Sequence, residues 1–252
     1  MKKSLLVILA VLLLITGTTV FAGGAQEDAD GVTKLIIASD CTWPPMEFVN
    51  TDKEIVGYDI DFIRAVAKEG GFEVEIRNTA WDGIFASLGN GESDAVISSV
   101  TITEDRSKTM DFSLPYINAG QVLIVGIDSS AKTLADLADK EVGAQIGTTG
   151  AIEIDNSDAE LKTYDELGFA IEDLANGRIE GVVADTPIAA DYVLQNDNYK
   201  KTLMIVGDSF TDEYYGIAVK KGNTEVLDLI NKGVKAVQDK GIDKELEDKW
   251  LR

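Results

Sequence analysis

From Lys34 onward, short apolar runs alternate with amphipathic stretches, and the alternation predicts an α/β fold. Residues 35–38 form the first apolar strand, which delivers Asp40, Cys41, Thr42 and Trp43 to its carboxyl end before Pro44-Pro45 stops regular structure. Ile60, Ile63, Val66 and Ala67 recur at helical spacing, with Asp59 suited to cap the helix and Gly70-Gly71 to end it. Residues 72–77 alternate as a strand, and Trp81, Ile84, Phe85 and Leu88 share a helix face. Residues 95–97 are wholly apolar, the pattern of a strand covered on both sides. That strand runs into Ser98, Ser99, Thr101 and Thr103, then Glu104, Asp105 and Arg106.

The second half repeats this design. LGNGESDAVISS (88–99) matches LANGRIEGVVAD (174–185) at an offset of 86, each a helix end, a glycine turn and a buried strand. Asp185 therefore stands where Ser99 stands, and Ala184 where Ser98 stands, which predicts two similar lobes presenting polar groups at strand ends. Residues 121–127 read as a strand crossing between the lobes, and residues 214–219 as the return crossing. Residues 142–146 and 203–206 are further strands, and the first of these leads into Gly147-Thr148-Thr149-Gly150. That turn precedes a helix whose free N–H groups suit an anion, or it is an ordinary strand-to-helix connection. Val226, Leu229, Ile230, Val234 and Val237 mark an amphipathic helix, and a shorter one closes the chain at residues 243–250.

The 252 residues are 45% hydrophobic, enough to bury a sizeable core. Residues 1–22 read as a secretory signal: Lys2 and Lys3 precede the apolar stretch 5–15, and Val20-Phe21-Ala22 suits cleavage. No cysteine follows at a lipid-attachment position, so an exported, periplasmic protein is expected, with residues 23–32 a polar leader lacking structure. The net charge of −21 makes nucleic acid a poor partner, and removal of the signal makes the chain more acidic still. Cys41 is the single cysteine, which excludes an internal disulfide, and the absence of histidine excludes His-based triads and His-ligated zinc. Asp155, Asn156 and Asp158 lack the spacing of an EF-hand and read as a solvated turn. No cofactor is expected.

In open α/β sheets, ligands sit beyond the carboxyl ends of strands, where the hydroxyls of residues 98–103 project. Arg106 is the cation beside them, and its planar fork suits a carboxylate, unless it is simply the solvated start of a helix. Asp185 precedes Thr186-Pro187 and could equally be a helix N-cap. A free amino acid is a zwitterion, and burying either charge unpaired costs several kcal/mol, so its site needs a cation and an anion. Arg106 and Asp185, on opposite lobes, fit those roles.

The motifs WPPMEF (43–48), GYDIDFIRAVAKEGG (57–71), NTAWDGIFASLGNGESDAVISSVTITEDR (78–106), MDFSLPY (110–116), IGTTG (146–150) and GRIEGVVADTP (177–187) extend the picture. Together they resemble the polar amino-acid-binding extracytoplasmic proteins that serve ABC importers, over essentially the whole mature chain. The resemblance implies a two-lobed type II periplasmic-binding fold, each lobe a sheet flanked by helices. Residues 33–118 and 214–252 would form the first lobe, and 119–213 the second. It implies that Arg106 holds the ligand α-carboxylate with Thr101 beside it, while Ser99, next to Ser98, and Asp185 take the α-ammonium. Thr149, next to Thr148, offers its amide to the carboxylate. Trp43 and Trp81 would flank the ligand side chain, although core packing is the competing role for Trp81. Asp40 would meet a cationic or amide tip, and Gln145 would tune specificity. Gly150 departs from relatives that carry a side chain there. The expected ligand is arginine, then lysine or ornithine, with glutamine as the rival. The expected partner is a membrane permease, and the expected state a monomer. A cyclohexadienyl dehydratase-like enzyme is the rival of another class, with Glu47 as an available carboxylate.

Overall fold

The computed structural model describes residues 32–252 and the two-residue strand Gln26–Glu27. The expected signal segment lies outside the described residues. Within the leader, Gln26–Glu27 pairs antiparallel with Thr33 and Lys34, so the expectation of a wholly unstructured leader is corrected there.

Among the described residues there are two large sheets, beside a three-stranded and a two-stranded one. In the first, Thr33–Ser39 lies between Glu73–Asn78 and Ala95–Val96, parallel to both, and Ala218–Lys220 and Met110–Phe112 continue the sheet antiparallel. In the second, Glu160–Tyr164, Glu141–Gln145 and Gly181–Asp185 run parallel, followed by Gln121–Gly126 and Leu203–Val206. Gln121–Gly126 runs antiparallel to both its neighbours, so the expectation that residues 121–127 cross between lobes is corrected. A short apolar run has the same pattern in either role, and here strands on both sides bury Val122 through Val125. The crossing is instead Ile117–Asn118, paired antiparallel with Tyr214–Tyr215. The return stretch divides into Tyr214–Tyr215 and Ala218–Lys220, separated at Gly216. Close by, a Cβ on Gly120 would lie 2.1 Å from the Thr211 carbonyl oxygen, so the two connecting segments pack backbone to backbone.

The helix Tyr58–Gly70 buries Ile60, Ile63, Val66 and Ala67 as their spacing predicts. Its N-cap is Gly57, whose left-handed φ of 132° brings the chain against Met46, and Asp59 lies one residue inside the helix. The expected capping role of Asp59 is thus corrected: its carboxylate turns into the core and accepts from the Ser99 amide at 2.8 Å. The helix packs on Thr224–Asp239 at Gly233, where a Cβ would stand 2.3 Å from the Val66 carbonyl oxygen.

The internal repeat is visible as structure. Trp81–Asn90 ends at Gly91 (φ 78°) and leads to Ala95–Val96; Leu167–Ala175 is followed by Gly177 (φ 68°) and Gly181–Asp185. Both glycines reverse the chain through left-handed geometry that a side chain would strain. Ser99 and Asp185 consequently occupy matching strand ends. Asp155, Asn156 and Asp158 are exposed at the end of the helix Thr149–Asp155.

Candidate ligand-binding cleft

Arg106 projects from the short helix Glu104–Thr109, which is fixed by Thr103: its hydroxyl accepts from the Arg106 amide at 3.1 Å. The guanidinium donates to the Thr101 carbonyl at 2.9 Å and, across the cleft, to the Gly147 carbonyl at 3.2 Å. It also lies 5.5 Å from the Trp81 ring and 5.4 Å from Phe85, within cation–π range. Burial lowers its pKa from the ordinary value, and the nearby Asp185 and Glu213 carboxylates oppose that shift.

Ser98 and Ser99 follow the strand Ala95–Val96, and Ser99 adopts a left-handed φ of 50°. The Ser98 hydroxyl accepts from the Asp40 amide at 2.9 Å and donates to Glu47 at 3.0 Å. Asp40 is buried, which raises its carboxyl above the usual range; Thr42 and the Gln145 side-chain amide donate to it at 3.0 and 3.1 Å.

The second lobe supplies Gln145, Thr148, Thr149 and Asp185 from the ends of two adjacent parallel strands and the turn after one of them. Thr148 caps the helix Thr149–Asp155, accepting from the Ala151 amide at 3.2 Å. The Thr149 hydroxyl donates to Glu213 at 2.7 Å. Asp185 occupies the N-cap position before Thr186 but makes no side-chain cap bond. Its carboxylate instead accepts from the Tyr215 hydroxyl at 2.6 Å and from the Gln121 amide. Burial pushes its pKa up to about 7, helped by Glu213 and opposed by the Tyr215 and Gln121 bonds and by Arg106.

Nine of the eleven expected residues line one small cavity between the lobes: Trp43, Trp81, Ser98, Ser99, Thr101, Arg106, Thr148, Thr149 and Asp185. Asp40 and Gln145 are not on its lining. They form part of one wall, where the Gln145 amide joins the Trp43 indole N–H, Asp40 and the Asp165 carbonyl (the last at 2.9 Å). Beyond that wall lies a more open cleft of about 360 Å³, lined by Asp40, Asp82, Asp165 and Glu166 with no basic side chain. Trp81 borders both spaces, so it is at once a core residue and a cleft residue.

Sequence reasoning missed Gln121, Tyr215, Glu213 and Asp59. Gln121 and Tyr215 border the Asp185 carboxylate, and Glu213 accepts from Thr149. One signal was available: Gln121 is a polar residue opening an otherwise apolar strand, and it is fully buried.

A two-lobed α/β architecture with a polar cavity between the carboxyl ends of its strands is that of a small-molecule receptor. Residues 35–252 match the bacterial extracellular solute-binding proteins, family 3, and the chain belongs to that family. It is similar to the ABC transporter arginine-binding protein 1 of Escherichia coli (strain K12), with 35% identity over 230 residues, 88% of this chain and 93% of that protein. It is also similar to the structure of an ancestral arginine-binding protein bound to arginine, with 38% identity and a TM-score of 0.82, covering 87% of this chain and 98% of that one. An ancestral arginine-binding protein bound to glutamine matches with 39% identity and a TM-score of 0.81, covering 86% and 97%.

Proposed function

We propose that this chain captures a free amino acid between its lobes and delivers it to the permease of an ABC importer, as an exported monomer cleaved after about Ala22. Residues 33–118 and 214–252 form the first lobe of this reading and 119–213 the second. The observation that carries it is the placement of Arg106 and Asp185 on one cavity from opposite lobes, a half-buried cation and a buried carboxyl group matched to the two ends of a zwitterion. Arg106 takes the carboxylate, with Thr101 and the Thr148-Thr149 turn beside it, and Asp185 takes the ammonium. Trp43 and Trp81 flank the ligand side chain.

The preferred ligand in this reading is arginine, followed by lysine and ornithine. Its support is the wall at Asp40, a buried carboxylate backed by a cleft of further carboxylates, together with the arginine-binding relatives. A cationic tip passing Gln145 would meet negative charge and indole faces. A second reading, glutamine, has one observation in its favour: Asp40 already accepts from the amide of Gln145, the same group a glutamine ligand carries. Binding without turnover is favoured because both oxygens of Glu47, the carboxylate open to acid–base work, accept from serine hydroxyls.

Calorimetry against arginine, lysine, ornithine, glutamine, glutamate and histidine decides among these. Arginine is expected to bind most tightly and glutamate most weakly. Failure of arginine to bind at millimolar concentration overturns the cationic ligand, and conversion of arogenate or prephenate to an aromatic product overturns the binding-only reading.

A further inference from the structure

Beneath the cleft lies a pair of carboxyl groups that the receptor reading leaves without a role. Glu47 and Asp59 are both fully buried, with no cation among the groups bonded to them. Glu47 accepts from the Ser98 hydroxyl at 3.0 Å through one oxygen and from the Ser99 hydroxyl at 3.3 Å through the other. Asp59 accepts from the Ser99 amide at 2.8 Å and the Tyr116 hydroxyl at 2.9 Å, both through Oδ2. Its Oδ1 is buried with no hydrogen-bond partner among the described residues, and the Glu47 carboxyl lies beside it.

We propose that Glu47 fixes the Ser99 hydroxyl as a hydrogen-bond acceptor facing the cleft, and so acts as a positioning residue that selects a cationic N–H donor at that point. This rests on the receptor reading and deepens it. A serine hydroxyl has one hydrogen, and in Ser98 and Ser99 that hydrogen is committed to Glu47. Ser98 spends acceptor capacity on the Asp40 amide, whereas Ser99 has no second partner for its Oγ among the described residues and borders the cavity. The polarity could reverse only if Glu47 supplied the hydrogen. Two buried carboxyl groups without a cation hold one proton between them, because both cannot ionise. That proton lies between Glu47 and Asp59, whose Oδ1 has no other partner, which leaves none for the serines. What remains under Ser99 is a single negative charge and a hydroxyl that can only accept. An ammonium is stabilised there, and a carboxylate is repelled. Burial raises both carboxyl groups above their usual range, in keeping with a shared proton.

The test pairs Glu47→Gln with Ser99→Gly, the second chosen because a left-handed φ suits glycine and only the hydroxyl is lost. A glutamine amide must donate to one of the serines, which turns that hydroxyl around. Glu47→Gln is expected to weaken arginine roughly ten- to a hundredfold by calorimetry, the size of a hydrogen bond to a charged group. In the Ser99→Gly background the same substitution is expected to cost less than about threefold, as coupled residues require. If the parent binds no amino acid, the receptor reading fails and this inference falls with it. If the parent binds and Glu47→Gln binds within twofold of it, or loses as much in the Ser99→Gly background, Glu47 lacks this role while the receptor reading stands. Should Glu47→Gln not fold, Ser99→Gly alone decides between arginine and its analogue without the α-amino group. A larger loss for arginine supports the assignment, and equal losses overturn it.

Discussion

Tyr215 donates its phenolic hydrogen to Asp185 at 2.6 Å, joining a crossing strand directly to the carboxylate at the end of a second-lobe strand. The connector between the lobes thus helps hold the anion of the cleft in place. Tyr215→Phe removes one of the two hydrogen bonds that lower the Asp185 pKa, so that pKa rises above about 7. Arginine affinity at pH 7 is expected to fall roughly five- to twentyfold, about 1–2 kcal/mol. Titration of affinity against pH checks it, because the loss should shrink as pH is raised; a loss independent of pH would place the effect in packing alone.

The buried Asp185 makes stability depend on pH in a defined direction. Its folded pKa of about 7 lies above the ordinary 3.8, so the ligand-free folded state holds a proton that the unfolded chain releases. The favourable contribution is full below pH 3.8 and is lost as pH rises through 7, a change on the order of 4 kcal/mol. Asp185→Asn removes this dependence while leaving Glu47 and Asp59 in place. The melting temperature of the ligand-free variant is therefore expected to gain on the parent between pH 4 and pH 8. Arginine binding should fade as pH drops below about 7, and calorimetry in buffers of different ionisation enthalpy should detect a proton released on binding near pH 6.

Arg106→Ala is expected to cost roughly 3–5 kcal/mol of binding, about two to three and a half decades, because the ligand carboxylate is left buried without a partner. Arg106→Lys should recover only part of this, since an ammonium cannot reach both Thr101 and Gly147 with one planar fork. Binding of the alanine variant within threefold of the parent would remove Arg106 from the site.

Much of this organisation was legible in the amino-acid order. The run at residues 95–97 and its counterpart at residues 181–185 could be read because glycine turns and fully apolar strands have local signatures. The matching positions of Ser99 and Asp185 followed from the offset between those segments. Residues 121–127 were misplaced because periodicity reports burial and is silent about which neighbours provide it. Asp59 looked like a cap because the stretch before it is a turn, and the turn glycine took that position instead. Glu47 and Asp59 could not be paired from sequence: Glu47 lies 52 residues from Ser99 and Asp59 lies 40, and only folding brings them under one loop.

At the contact between Tyr58–Gly70 and Thr224–Asp239, Gly233→Ala would place a Cβ 2.3 Å from the Val66 carbonyl oxygen. The helices must separate, which is expected to cost about 1–3 kcal/mol. Denaturant unfolding measures it, and ligand affinity should change little because the contact lies away from the cleft. A variant as stable as the parent would show that this packing is slack.

Lobe closure follows from the division of the cleft, since Asp40, Trp43, Trp81, Ser99, Thr101 and Arg106 approach from one side and Gln145, Thr149 and Asp185 from the other. An open form engages one end of the ligand, so differential affinity favours the closed form. Saturating arginine is expected to reduce the radius of gyration in small-angle scattering. Gln145→Ala, which removes the bridge between Trp43 and Asp40, should leave the ligand-free protein more open. Calorimetric binding with unchanged scattering would rule the motion out.

The paired connectors Ile117–Asn118 and Tyr214–Tyr215 have a mechanical consequence. A single connecting strand would let one lobe spin about it as well as tilt. Two antiparallel strands, hydrogen-bonded side by side and packed at Gly120 against Thr211, behave as a strap: easy to bend across its width, stiff against twist and shear. A closing motion of the lobes would thereby be narrowed toward one rotation, one that returns Arg106 to the carbonyl of Gly147 without a search through orientations.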